Sequence, residues 1–169
     1  MNKILISACL LGEPVRYDGN SLASEHLAIK QWQQQDCLLA FCPEVFGGLP
    51  TPRPPAEIIT SSANLVGGQA VLAAHASIQT QSGEDVSREF IKGAQQALEL
   101  CQQHHIQFAL LSARSPSCGN EKIYSGQFNK TLIDGMGVTA ALLKQHGIEV
   151  FNQFQIDELV QILERPHAN

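Results

Sequence analysis

The sequence predicts an α/β domain of three layers, Rossmann-like, with a mostly parallel sheet and an inserted loop or hairpin region. Three observations carry that prediction. Short, continuous apolar runs recur along the chain, as expected of strands buried on both faces of a parallel sheet. Helical stripes lie between them. The resulting alternation of strand and helix is the order from which right-handed crossovers build helices onto both faces of one sheet.

The elements follow in chain order. "KILISA" at 3–8 is an apolar run with β-branched residues and reads as the first strand. "SEHLAIKQWQQQ" at 24–35 reads as a helix with Ser24 as its cap, and "CLLAF" at 37–41 as the second strand. An excursion over 43–84 then interrupts the alternation. Its first part, "PEVFGGLPTPRPPAEI", is too rich in Pro and Gly for regular structure, and "SANLVGGQAVLAA" sets a Gly-Gly turn between two apolar stretches, which predicts a hairpin. So long an excursion in a compact domain is usually functional, and it is expected to fold over the sheet edge as one wall of a site.

Beyond it, "DVSREFIKGAQQALELCQQHH" at 85–105 places Val86, Phe90, Ala94, Ala97, Leu98 and Cys101 on one helical stripe. "QFALLSA" at 107–113 is the third strand, "KIYSGQF" at 122–128 a short hairpin, and "GMGVTAALLKQH" at 135–146 a helix stopped by Gly147. "IEVF" at 148–151 supplies the last strand before a closing helix.

At 169 residues the chain fits a single domain over 1–169. The net charge of −5, from 11 basic and 16 acidic residues with no basic cluster, argues against an extensive nucleic-acid surface and favours a small-molecule ligand. The apolar start "MNKILISACLLG" has neither the length of a spanning helix nor the layout of a signal peptide, so a cytoplasmic protein with no membrane segment is expected.

The five cysteines, Cys9, Cys37, Cys42, Cys101 and Cys118, are odd in number and accompany no export signal, which argues against a disulfide scaffold. Ligands of open parallel sheets bind beyond the carboxyl ends of the strands. Cys9, Cys42 and Cys118 each follow a strand and precede loop-forming residues, so three separate segments converge on one end of the sheet. Cys37 starts a strand that Cys42 ends, and extended residues at about 3.3 Å each separate the two by roughly 16 Å. Cys37 and Cys101, on a helical stripe, therefore read as core filler. A soft set of three thiolates suits zinc, copper(I) or an iron–sulfur cluster, and three protein ligands leave one position open.

Around these thiols lie other groups suited to chemistry. Glu44, two residues past Cys42, is a candidate metal ligand or general base. Ser115 and Ser117 bracket Pro116 just before Cys118 and offer a hydroxyl and backbone N–H groups. Arg16, Tyr17, Asp18 and Arg53 are candidates to orient a polar ligand, and Tyr124 to stack on a planar one.

"SACLLGEPVRYDG", "FCPEVFGGLPTPRPPAEI", "SPSCGNEKIYSGQF" and "GMGVTAALLKQHGIEVF" together resemble the thiouracil desulfidases, over residues 4 to about 151. The resemblance implies a [4Fe-4S] cluster held by Cys9, Cys42 and Cys118, with a fourth, free iron that captures the sulfur of a thiocarbonyl without net redox change. It also implies Glu44 as catalytic acid/base and Ser115 as its assisting serine. The implied substrate is a thiolated pyrimidine base or nucleotide, and Arg16 and Arg53 leave room for a phosphate. Two alternatives stand beside this expectation: a three-cysteine zinc hydrolase, and a non-catalytic module that binds a metal or sulfide.

Overall fold

The computed structural model of the chain describes residues 3–60 and 65–165. Its elements are β1 (Ile4–Ser7), α1 (Leu27–Gln34), β2 (Leu38–Phe41), α2 (Pro43–Phe46), β3 (Ala56–Thr60), α3 (Gly68–Leu72) and β4 (Ala76–Thr80). There follow α4 (Ser87–Gln103), β5 (Phe108–Leu111), β6 (Lys122–Tyr124), β7 (Leu132–Asp134), α5 (Val138–Gln145), β8 (Glu149–Asn152) and α6 (Ile156–Glu164).

Four strands form a wholly parallel sheet in the order β2-β1-β5-β8. Alternation along β1 decides which helix covers which face. Ile4 and Ile6 point into a core with Ala28, Ile29 and Trp32 of α1 and Ile156 and Leu159 of α6. Leu5 points the other way, to Ala97 and Cys101 of α4 and Leu143 of α5. The result is the expected three-layer α/β architecture. Because β1 and β5 are neighbours from which the chain runs to opposite edges, the crevice at their carboxyl ends is the topological switch point.

The excursion is more regular than its composition suggests. The hairpin expected around Gly67-Gly68 does not form there: its leading residues 62–64 lie outside the described residues, and Gly68 opens the short helix α3. The glycine pair serves close approach instead, since the Gly68 amide donates to Met136 O at 2.6 Å and a Cβ on Gly68 would stand 2.4 Å from Gly137 O. The true hairpin pairs β3 with β4, Ile58 opposite Ile78, and packs on Phe90 and Ala94 of α4. Burying a side chain of Phe90's size contributes about 1.5–3 kcal/mol. β6 and β7 form a second hairpin, wider than expected, closing Lys122 against Asp134.

Helix starts also shift for local reasons. α1 begins at Leu27 because His26, not Ser24, caps it: His26 Nδ1 accepts from the Ala28 amide at 3.2 Å. α5 begins at Val138 because Gly137 must lie flat on the 116–117 backbone, where a Cβ would sit 2.4 Å from Ser117 O.

Candidate functional site

A cavity of about 670 Å³ opens at the carboxyl end of the parallel sheet, a volume in the ordinary range for small-molecule sites. Cys9, Cys42 and Cys118 all line it. Each is delivered by the turn that ends a strand. Cys9 sits in the 3-10 turn Ala8–Leu11 after β1, and Cys42 is the residue from which α2 starts after β2. Cys118 lies in the turn after β5, and the N-terminus of α5 holds that turn: the Val138 amide donates to Pro116 O at 2.8 Å, and the Thr139 amide to Ser117 O at 2.9 Å.

Serines at the strand ends tie the thiols together. Ser7 Oγ accepts from the Ser112 amide at 2.9 Å across the switch-point crevice and donates toward Cys118 Sγ at 3.7 Å. The Ser112 side chain lies by the Cys9 thiol, where it opposes the rise that burial gives that thiol's pKa. Sequence reasoning passed over both serines, although "ISAC" and "LSAR" end adjacent strands with the same Ser-Ala step. Burial pushes all three thiol pKa values up, and Cys42 and the Glu44 carboxylate push in the same direction at Cys9 and Cys118. A metal that takes the sulfurs as thiolates must therefore displace protons, and in return it relieves a desolvation cost that free thiolates would carry alone.

Glu44 stands beside them with both carboxylate oxygens engaged. Ser115 Oγ donates to Oε1 at 3.2 Å, while Arg53 donates to Oε2 through Nε at 2.7 Å and forms an ion pair with it through Nη2. The Ser115 oxygen also accepts from the Ser117 and Cys118 amides at 3.0 and 3.1 Å, so its proton can point only at the glutamate. One hydroxyl thus links the carboxylate to the backbone of a cysteine turn.

Two glycines seat this segment. A Cβ on Gly93 of α4 would fall 1.8 Å from Pro43 O, and one on Gly47 would fall 2.0 Å from Glu89 O. α2 therefore rests backbone-to-backbone on α4, which places Cys42 and Glu44 at the cavity wall.

A family model described as 2-thiouracil desulfurase matches residues 4–155 of this chain. The chain belongs to the 2-thiouracil desulfurase family. Among solved structures it is similar to the [4Fe-4S]-dependent thiouracil desulfidase TudS, at 47% identity and a TM-score of 0.85, over 96% of this chain and 98% of that one. It is also 41% identical over 157 residues to the uncharacterized protein YbbK of Bacillus subtilis (strain 168), covering 93% of this chain and 99% of the relative.

Within this member of the family, the residues picked out from sequence separate into two groups. Arg16, Tyr17, Arg53 and Tyr124 line the cavity with the three thiols, Glu44 and Ser115. Asp18 and Ser117 do not. Asp18 is exposed and closes its own loop, its Oδ1 accepting from the Asn20 amide at 3.0 Å. Ser117 is wholly buried against Thr139, Oγ to Oγ1 at 2.8 Å. Ser115 and Ser117 look equivalent in sequence, but two residues apart in a tight turn they face opposite ways. Glu57, which sequence reasoning did not single out, lines the cavity and is buried. Its Oε2 accepts from the Gly126 and Phe128 amides at 2.8 and 3.1 Å, which ties the β6–β7 loop to β3 at the cavity wall.

Proposed function

We propose that the protein is a [4Fe-4S]-dependent desulfidase that exchanges the sulfur of a thiolated pyrimidine for a water oxygen, giving the oxo pyrimidine and sulfide without net redox change. One observation carries this reading most directly: three thiols from three turns and a Ser115–Glu44 hydrogen bond line the same cavity. Family membership and the likeness to TudS agree with it.

The donor set fits the cluster. Cys9, Cys42 and Cys118 are soft ligands on separate segments, and among the described residues no three His, Cys, Asp or Glu side chains converge as a single ion would require. A cubane offers each sulfur its own iron, so the ligands need not meet at a point, which favours it over a lone zinc. When bound, the cluster supplies a thiophilic iron that polarises the C=S bond and keeps the departing sulfur.

The protein's residues supply the proton chemistry. Glu44 Oε1 takes a proton from the attacking water, and Ser115, its hydroxyl already aimed at that oxygen, steadies the transfer. The Ser117 and Cys118 amides fix Ser115 in turn. Tyr17 and Tyr124 line the cavity where a planar ring can stack, and Arg16 offers a cation to a polar or phosphorylated substituent. The thiolated pyrimidine enters as base or nucleotide. An open cluster iron needs a reducing compartment, consistent with action in the cytoplasm.

Anaerobic assay of sulfide release from 2-thiouracil, 4-thiouracil and their nucleotides tests the reading. The reconstituted protein should release sulfide, and Glu44→Ala should keep the visible absorbance of the cluster while losing about 10²–10⁴-fold in turnover. Full turnover by a zinc-loaded, iron-free protein would replace this reading with a hydrolase. Substrate binding without release would replace it with a binding module.

A further inference from the structure

Arg53 is a candidate from sequence to orient a polar ligand, but its hydrogen bonds point elsewhere. Its side chain is only 5% exposed. A guanidinium carries five N–H donors, and here every nitrogen is directed at protein acceptors. Nε donates to Glu44 Oε2 at 2.7 Å, Nη1 to Pro50 O and Thr51 Oγ1 at 3.1 and 3.2 Å, and Nη2 to Val15 O at 3.0 Å, while Nη2 also forms an ion pair with Glu44 Oε2. The Arg53 amide is engaged too, donating to Tyr17 O at 2.7 Å.

The geometry assigns Arg53 as the positioning residue of Glu44: it pins Oε2, leaves Oε1 as the only oxygen facing Ser115, and neutralises a carboxylate set beside three cluster thiolates. This inference rests on Glu44 being the base of the proposed reaction. Two consequences follow from the donor count. With four of its five N–H groups bonded to protein oxygens and its side chain buried, Arg53 acts on turnover and not on binding. The planar fork also engages Glu44 while reaching Val15, Pro50 and Thr51 on two other segments, which a lysine's point charge cannot do.

Positioning partners of this kind are commonly worth about 10–100-fold. In the anaerobically reconstituted protein, Arg53→Lys should therefore lower kcat by about 10–100-fold with KM and cluster absorbance unchanged. The double variant Arg53→Lys/Glu44→Gln should be no slower than Glu44→Gln alone, because once Glu44 is disabled there is nothing left to position. A raised KM with kcat retained would overturn the assignment and make Arg53 a substrate ligand. So would additive losses in the double variant while Glu44→Gln alone is severely impaired. Wild-type turnover by Glu44→Gln would overturn the role of Glu44 and this inference with it. Should Arg53→Lys not fold, Thr51→Val removes a single exposed acceptor of the fork and reads the same split, with kcat reduced about 10-fold or less at constant KM and an unchanged kcat counting against the assignment.

Discussion

Two of the five cysteines, Cys118 and Cys101, are about equally hidden from solvent and lie on opposite sides of the same functional question. Both thiols are pushed up by burial, Cys101 to about 12 and Cys118 further in the same direction. Around Cys101 the cause is desolvation alone, with Leu5, Ala97, Ala109 and Leu143 in its core cluster. Around Cys118 there are also the Ser7 hydroxyl, two more thiols and the Glu44 carboxylate. Burial does not distinguish a proposed ligand from core filler. The polar company that a buried thiol keeps does.

The largest difference is expected at the three cysteines that line the cavity. Cys118→Ser should lose the cofactor and all turnover, and Cys9→Ser or Cys42→Ser should lose or sharply weaken it, whereas Cys37→Ser and Cys101→Ala should keep the iron content of the wild type. Iron analysis and turnover on the same preparations check this. A smaller effect is expected where the site is seated. Gly93→Ala gains about 1 kcal/mol of helix propensity but forces α2 off α4, an overpacking that costs typically 1–3 kcal/mol or more. Its melting temperature should fall modestly and its turnover more steeply, because Cys42 and Glu44 ride on the displaced backbone. The smallest effect belongs to the core cysteine: Cys101→Ala should cost about 1 kcal/mol through the vacated volume, measured by denaturant unfolding, with catalysis untouched.

Much of this arrangement was legible in the sequence because it is local. The apolar runs fixed the four parallel strands, and a cysteine immediately after a strand has to lie at the carboxyl end of the sheet. What stayed hidden depends on contacts between distant segments. The β3–β4 hairpin pairs Ala56 with Thr80 and Thr60 with Ala76 although residues 61–75 separate its strands in sequence, and the conspicuous Gly67-Gly68 drew the turn to the wrong place. Gly93 looks like a flaw in a long helix until Pro43 is found against it. Arg53 reads as a spare cation until its partners, which come from Val15, Glu44, Pro50 and Thr51, are seen to take four of its five donors. Likewise Ser115 and Ser117 differ only through what α5 brings to the turn: Thr139 takes Ser117 inward and leaves Ser115 to Glu44.

The central claim is that the carboxyl-end thiols form a cluster site whose function is to remove sulfur. Its most direct test is anaerobic reconstitution with iron and sulfide, followed by a visible spectrum and sulfide release from thiouracil and its nucleotide in one vessel, with wild type and Cys118→Ser side by side. The wild-type protein should be brown and release sulfide, and Cys118→Ser should be colourless and inactive. A Cys118→Ser protein that keeps both the absorbance and the activity would contradict it.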